Sequence, residues 1–212
     1  YQGYAAVAYP QGQLLSWTTL EKGGILVGET GRRFGNEDLG YSGFAAHVLD
    51  QGEFAWAIYD ARIHGIAEAE EEYAEMATMG AVSWAETPAA LAAKVGLDAD
   101  GLTETIAAYN SAALNDGTDE FGRTAFALAP LQPPFAAVRV KPGLFHTQGG
   151  VLVDNEARVR RSTGGTVPNL FAGGGAAAGI SGRDGALGYA SGNGLITALV
   201  LGRRAGLTAM KE

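Results

Sequence analysis

The residues of this sequence that could carry chemistry lie towards its C-terminal end, and the first group is Ser191-Gly192-Asn193-Gly194. An apolar run at residues 195–201 follows at once, which predicts a helix from about residue 191 to 205 with Ser191 as its N-cap. A helix N-terminus offers free N–H groups and about half a positive charge, and glycines allow close approach. The pattern therefore predicts binding of an anion, a phosphate or the N1–C2=O edge of a reduced flavin, and it fits an ordinary capped helix equally well.

A second glycine-rich segment, GGGAAAG at residues 173–179, follows a predicted strand. A dinucleotide-binding turn has the pattern G-x-G-x-x-G and leads straight into a helix. Here the third glycine falls one place late, and the sequence ISGRDG interrupts the approach to any helix. We therefore interpret this segment as a loop that lies against some other ligand.

Two charged or titratable residues near these glycines are further candidates. His146 stands in the polar sequence FHTQGG between predicted strands, where a structural role and a catalytic role are both open. Arg183 precedes Asp184 between two glycines, which is most simply an exposed turn. The sequence shows no Ser/His/Asp order, zinc-ligand spacing or phosphate-binding loop, so we predict no metal site.

Strands and helices must position these residues, and the first part of the chain mixes both. Residues 24–28 and 54–59 are predicted strands. Thr87-Pro88 predicts the start of a helix that Gly96 ends, and a further helix at about 102–114 is capped by Asp98 or Asp100.

The second part of the chain begins after a proline-rich stretch at residues 129–134. Predicted strands follow it at residues 135–141, 150–153 and 169–172. The change in pattern predicts a domain boundary at residue 134.

The composition excludes several classes of function. A net charge of −8 without a basic stretch argues against nucleic acid, and no apolar run reaches the ~18 residues of a membrane span. Cysteine is absent, which is consistent with the cytoplasm that we predict as the location. The acidic run at residues 68–75 is interpreted as a solvated helix face.

Several short segments are most informative through their order and spacing. Upstream lies GRRFGNE at residues 31–37. The later segments are YN at 109–110, DEFGR at 119–123, PPFAAV at 133–138, KPG at 141–143, HTQGG at 146–150, VLVD at 151–154, VPNLFAG at 167–173 and LGRRAG at 201–206. Together they resemble the C-terminal half of the fumarate reductase/succinate dehydrogenase flavoprotein family, including its 3-ketosteroid dehydrogenase branch.

The resemblance implies a fold and a cofactor. It implies an α+β cap domain at residues 1–134 and the C-terminal portion of an α/β FAD-binding domain at residues 135–212, with the N-terminal dinucleotide-binding half absent. FAD is the implied cofactor, and the last helix is implied to point its N-terminus at the flavin. The implied cofactor-binding residues are Gly173, Gly174, Ser191, Gly192, Asn193, Gly194 and Leu195.

The resemblance also implies catalytic residues, with departures from the family pattern. His146 matches a histidine that contacts substrate. Tyr41 stands where fumarate reductases have a proton-donating arginine, Gly174 replaces a glutamate near FAD, and Ala190 aligns nearest to a substrate arginine for which Arg183 could substitute. The segment YASG at residues 189–192 is closer to the ketosteroid branch, which argues against fumarate itself as substrate.

We therefore predict part of an FAD-dependent oxidoreductase with Tyr41, His146 and Arg183 as catalytic residues. It would act on a C–C bond next to a carbonyl or carboxylate, in an unsaturated acid or an enone. Alone, the chain is expected to be inactive and to expose apolar surface that the missing half or self-association would cover. A degenerate ligand-binding module and one subunit of a split flavoprotein are the alternatives.

Overall fold

The computed structural model describes residues 2–115, 117–181 and 192–211, and these form a mixed α/β structure. The strands are β1 (Gln2–Ala8), β2 (Ile25–Val27), β3 (Ala55–Asp60), β4 (Val82–Ala85), β5 (Phe135–His146), β6 (Arg158–Arg160) and β7 (Thr166–Phe171). The helices are α1 (Thr18–Glu21), α2 (Gly40–Gly43), α3 (Ala45–Asp50), α4 (Ala61–Ala67), α5 (Glu71–Thr78), α6 (Pro88–Val95), α7 (Ala99–Leu114) and α8 (Asn193–Ala209). Single 3-10 turns lie at Glu37–Leu39 and Gly174–Ala176.

A five-stranded sheet with the order β1-β5-β3-β2 forms the centre of the first part of the chain, and β4 also pairs with β5. β3 is antiparallel to both neighbours, with Ile58 opposite Ile25 and Ala137. Flanked on both sides, all of its residues are buried, which explains why its sequence AWAIYD lacks the alternation of a half-exposed strand. The predicted strands at 24–28 and 54–59 are confirmed by β2 and β3.

The chain divides into two compact units, which are described separately. One unit is Gly3–Gly143, and the other joins the first residues of the chain to Leu144–Glu212. The smaller unit contains α8 and the two-stranded sheet of β6 and β7. The proline-rich boundary predicted at residue 134 lies before β5, whereas the division between the two compact units falls after Gly143.

Local side-chain caps explain where two of the predicted helices begin. The Thr87 hydroxyl accepts the Ala90 N–H at 3.2 Å, and α6 ends at Gly96, whose φ of +79° a glycine adopts without strain. The Asp98 carboxylate accepts the Gly101 N–H at 2.5 Å and caps α7. The predictions for both helices are confirmed, with Asp98 rather than Asp100 as the cap.

The predicted last helix is confirmed by α8, which runs over Asn193–Ala209 with Gly192 at φ +89° as its N-cap, whereas the predicted cap Ser191 lies outside the described residues. The predicted strand at residues 150–153 is wrong. Residues 150–153 form no named strand and make only single bridges from Val151 and Val153. The backbone groups around Val151 bond instead to the glycine-rich segment, because the two segments lie close together.

A buried cluster of charges joins two of the segments that carried the family resemblance. Arg33 donates to the Glu37 carboxylate at 2.5 Å and also to Asp119. Arg123, which is fully buried, donates to the same Glu37 carboxylate at 3.2 Å. Burial alone would lower the pKa of Arg33, but its two carboxylate partners raise it above its ordinary value.

Arg123 also binds the backbone of the loop around β2. Its guanidinium donates to the carbonyl oxygens of Leu20 at 2.7 Å, Gly24 at 2.8 Å and Ala125 at 2.9 Å. The other oxygen of Glu37 accepts the Leu26 N–H at 3.0 Å. The cluster therefore satisfies buried backbone groups as well as charges, which is the condition under which buried ions stabilise a fold.

The unit that contains α8 exposes many large apolar side chains. Leu195 and Leu199 on this helix are each 74% exposed. Others in the same unit are Leu144, Phe145, Val151, Leu152, Leu170, Ile180, Ile196, Val200, Leu207 and Met210. This matches the predicted exposure of apolar surface. Within the described part of the chain, no helix is long and apolar enough to span a bilayer and no group of three acidic or histidine residues is placed to hold a metal ion.

Candidate functional site

His146 is the last residue of β5, at the point where the chain leaves the sheet. Its side chain is half-buried, and the ring of Phe145 meets it edge-on with centroids 5.0 Å apart. The end of a strand holds the histidine backbone in place while the following polar residues turn away. The side chain is therefore carried by the end of a strand rather than by a loop, which suits a binding or catalytic role.

The segment after His146 is held against the glycine-rich segment by three backbone hydrogen bonds. The Val151 N–H donates to Ala176 at 3.0 Å, the Ala178 N–H to Val151 at 2.9 Å and the Gly179 N–H to Gln148 at 3.1 Å. A Cβ added to Gly150 would lie 2.3 Å from the Ala177 carbonyl carbon, so only glycine permits this approach. These contacts place the two segments side by side.

Among the residues that the structure describes, the start of α8 is exposed at Gly192 and Gly194. No side chain among the described residues caps the helix, and a Cβ on Gly192 would meet nothing within 4 Å. The side-chain amide of Asn193 donates to the Ser181 hydroxyl at 2.8 Å. The backbone N–H groups of the first turn and the positive end of the helix dipole thus lie next to accessible space.

His146, the glycine-rich segment and the first turn of α8 line one cavity of about 110 Å³. Its walls include Gly174 and Gly175 from one side and Asn193 and Gly194 from the other. The nearest atom to a Cβ built on Gly194 would be a ring carbon of His146, at 3.5 Å. The structure therefore brings together five of the predicted site residues: His146, Gly174, Gly192, Asn193 and Gly194, of which Gly192 precedes the helix just outside the lining.

The remaining predicted residues of this unit are placed differently. Gly173 packs against α8, where an added Cβ would lie 3.0 Å from the Leu201 Cβ. Leu195 follows Gly194 with its side chain largely exposed. Arg183 and Ser191 lie outside the described residues, so their predicted roles stay predictions.

We expect Gly150→Ala to lower the free energy of unfolding by about 1–3 kcal/mol, because its methyl group would displace the backbone at Ala177. Gly149→Ala is the matched control, since its Cβ would meet only the Thr147 hydroxyl at 3.9 Å. Thermal unfolding of both variants measures the difference. Equal midpoints would contradict the close approach of the two segments.

Tyr41 belongs to the other unit, on the short helix α2. Its ring stacks on Tyr4 with centroids 4.9 Å apart, and Trp17 meets it edge-on at 6.3 Å. Tyr41 is half-buried, whereas Tyr4 and Trp17 are buried. The three rings form an aromatic cluster with Tyr41 at its accessible side.

Sequence analysis missed Tyr4 and Trp17 as members of this cluster. The Tyr4 hydroxyl donates to the Leu15 carbonyl at 2.8 Å. Burial raises its pKa far above the ordinary value, so it stays neutral. Tyr4 and Trp17 are distant from Tyr41 along the chain, so no sequence pattern indicated that the three rings meet.

This chain is similar to one family model and to several known proteins. The model of the family described as "FAD binding domain" matches residues 6–190. A fumarate reductase (cytochrome) of Shewanella frigidimarina is 29% identical, across 99% of this chain and 36% of its own length. A 4-oxocyclohex-2-ene-1-carboxylate 5-dehydrogenase of Sinomonas cyclohexanicum is 34% identical, across 86% of this chain and 35% of its own length.

A solved structure agrees with these matches. It is the 3-ketosteroid-Δ4-(5α)-dehydrogenase of Rhodococcus jostii RHA1, with a TM-score of 0.66 and 28% identity across the whole of this chain and 42% of the other. The chain thus spans between a third and a half of the length of these relatives.

Proposed function

We propose that this chain, which belongs to the FAD binding domain family and has FAD as its cofactor, is part of an oxidoreductase. The reaction transfers hydride to or from one carbon of a C–C bond beside a carbonyl or carboxylate. The cavity shared by His146 and the open first turn of α8 carries this proposal. A split flavoprotein would use the same site. A degenerate module would keep the fold and lack the reaction.

The residues around the cavity fit one edge of a flavin. A volume of about 110 Å³ is too small for a whole isoalloxazine ring and suits its polar edge. The first-turn N–H groups of α8 would donate to that edge, and the helix dipole would stabilise negative charge there. Gly174 and Gly175 keep side chains away from the same region. When bound, FAD supplies hydride transfer at its N5 atom.

His146 would hold and polarise the substrate. Its position at the end of β5 fixes the ring, and its neighbours leave it partly accessible. An imidazole N–H that donates to a carbonyl or carboxylate oxygen stabilises the charge that develops there as hydride moves. Arg183 is proposed for the same task on the strength of the family resemblance alone.

Tyr41 would handle the proton at the carbon next to the one that exchanges hydride. A phenol can donate or accept a proton when it is held against its target. The rings of Tyr4 and Trp17 support Tyr41 from two directions, which restricts its position. The ring of Tyr41 is the partly exposed side of this cluster and offers apolar surface, which supports a ring ketone or enone over a small dianion as substrate. The cyclohexenone-carboxylate dehydrogenase among the relatives acts on such a compound by its name.

The domain organisation belongs to the same proposal. Residues 1–134 would form a cap domain, and residues 135–212 would complete an FAD-binding domain. The exposed apolar side chains of α8 would pack against the remainder of that domain. Leu195 and Leu199 would be covered there.

Visible absorption and turnover of the complete protein test the proposal. We expect a flavin band in the purified protein, and we expect an enone from a cyclohexenone or ketosteroid panel to reoxidise the reduced flavin. His146→Ala should keep the flavin band and lose about 10²–10⁴-fold in turnover. Absence of flavin after addition of FAD would overturn the proposal in favour of a degenerate module. Unchanged turnover in His146→Ala would remove the role of this residue alone.

A further inference from the structure

A second cavity lies on the unit Gly3–Gly143, where β1 and β4 both pair with the same edge of β5. β4 pairs with β5 up to the register Val82 opposite Val138, and the Tyr9 N–H then bonds to the Arg139 carbonyl at 2.9 Å. The ladder is therefore interrupted between Ala81 and Tyr9. The interruption leaves a cavity of about 290 Å³.

The walls of this cavity come from several parts of the fold. The turn after β1 contributes Tyr9 and Gln11, α6 contributes Lys94, and β5 contributes Arg139. Trp56 on β3 is also part of the lining. The volume is at the lower end of ligand sites, which span about 300–1,000 Å³, so a small molecule would fit.

The cations at this cavity are not neutralised. The Arg139 guanidinium lies over the rings of Tyr9, at 5.0 Å, and Phe54, at 4.8 Å, and the Lys141 ammonium lies over the same tyrosine at 4.6 Å. Lys94 donates to a backbone carbonyl at 3.3 Å. Among the residues that the structure describes, no carboxylate is within 4.0 Å of any of the three.

Such a group of cations is unusual for a chain of net charge −8, which offers acids in excess. The aromatic rings contact the flat face of Arg139, so its N–H edge remains available for a carboxylate or phosphate. A guanidinium and an ammonium around one cavity would attract a small anion and bind it by charge-assisted hydrogen bonds.

Gln11 adds a requirement for a neutral polar group on the ligand. Its side-chain oxygen is buried and has no hydrogen-bond partner in the described part of the chain. A buried acceptor without a donor costs about 1–3 kcal/mol, so a ligand hydroxyl placed there would relieve that cost. Ser83, which also lines the cavity, can bond to the same kind of group.

We propose that the cavity lined by Tyr9, Gln11, Lys94 and Arg139 binds a small organic anion that carries a hydroxyl group near its phosphate or carboxylate. The charged end bonds to Arg139 and Lys94, and the hydroxyl donates to Gln11. This site is separate from the cavity at His146 and does not depend on the proposed oxidoreductase reaction.

Isothermal titration calorimetry of the complete protein with glycerol 3-phosphate and with L-lactate tests the proposal and distinguishes phosphate from carboxylate. Propyl phosphate and propionate are the matched probes without the hydroxyl. We expect one hydroxylated probe to bind, and Arg139→Gln to weaken it at least about tenfold, which corresponds to about 1.4 kcal/mol. Gln11→Leu should weaken the hydroxylated probe to the level of its matched partner.

Arg32→Gln is the control variant, because Arg32 is an exposed cation of the same unit that pairs with Glu104 away from this cavity. It should bind like the wild type. If Arg139→Gln proves unstable in thermal unfolding, Lys94→Gln takes its place, with an expected weakening of at least about threefold. Absence of binding by both hydroxylated probes at about 10 mM, or equal binding in the folded Arg139 or Lys94 variant, would overturn the proposal.

Discussion

Tyr41→Phe in the flavin-loaded complete protein is expected to lower kcat by about 10²–10⁴-fold, because the phenol is the proposed proton donor or acceptor. The ring of Tyr41 would remain stacked on Tyr4, so the substitution removes one hydroxyl and keeps the packing. Flavin content and the affinity for substrate should change little. Stopped-flow measurement of flavin reduction and reoxidation separates the chemical step from binding.

Tyr4→Phe is the matched control for this prediction. It removes a hydroxyl from the adjacent ring, but that hydroxyl donates to the Leu15 carbonyl and serves the fold. We expect kcat within about threefold of the wild type and a loss of stability of about 1 kcal/mol. An equal fall of kcat in both variants would show that the aromatic cluster acts as a whole and would remove the proton-transfer role of Tyr41.

Arg123→Met should lower the free energy of unfolding by about 3–5 kcal/mol, the largest stability effect that we expect from a single substitution. Methionine has a similar length, so the loss arises from polar groups rather than from a cavity. The carboxylate of Glu37 would lose one of its two arginine partners, and the carbonyl oxygens of Leu20 and Gly24 would each lose a guanidinium donor. Chemical denaturation monitored by circular dichroism measures this loss.

Arg32→Met provides the comparison, since Arg32 is the neighbour of Arg33 in sequence and forms an exposed ion pair with Glu104. Surface ion pairs contribute about 0–1 kcal/mol, so this variant should unfold almost like the wild type. If both variants lost the same stability, the buried cluster would not hold the loop around β2 as the structure indicates.

The same cluster should make stability depend on acid. Burial alone would raise the pKa of Asp119, but hydrogen bonds from Arg33 and from the N–H groups of Arg123 and Phe121 lower it below its usual value. A depressed folded-state pKa contributes stability above the unfolded value of about 3.9, and that stability is lost as the pH falls through the folded value. Unfolding midpoints measured below about pH 4 should therefore fall less steeply in Asp119→Asn.

Local interactions explain which elements were predictable from sequence. α6 begins directly after Thr87 and α7 directly after Asp98, because each of these caps accepts a hydrogen bond from an N–H three residues ahead. β3 could be recognised because its six residues are suited to burial on both sides. The N-cap of α8 was predicted one residue early, at Ser191 instead of Gly192, since both residue types are acceptable caps and the sequence does not show the left-handed backbone at Gly192.

The sequence by itself therefore determined the caps of α6 and α7, the central buried strand and, through the order of its motifs, the flavoprotein family. Tertiary structure alone decided which distant residues meet. It brings Glu37 to Arg123 across 86 positions, Gly150 to Ala177 by close backbone approach, and Tyr41 to Tyr4 by ring stacking. The physical reason is that a cap or a strand pattern depends on neighbours along the chain, whereas buried ion pairs and cavities depend on how separate elements pack together.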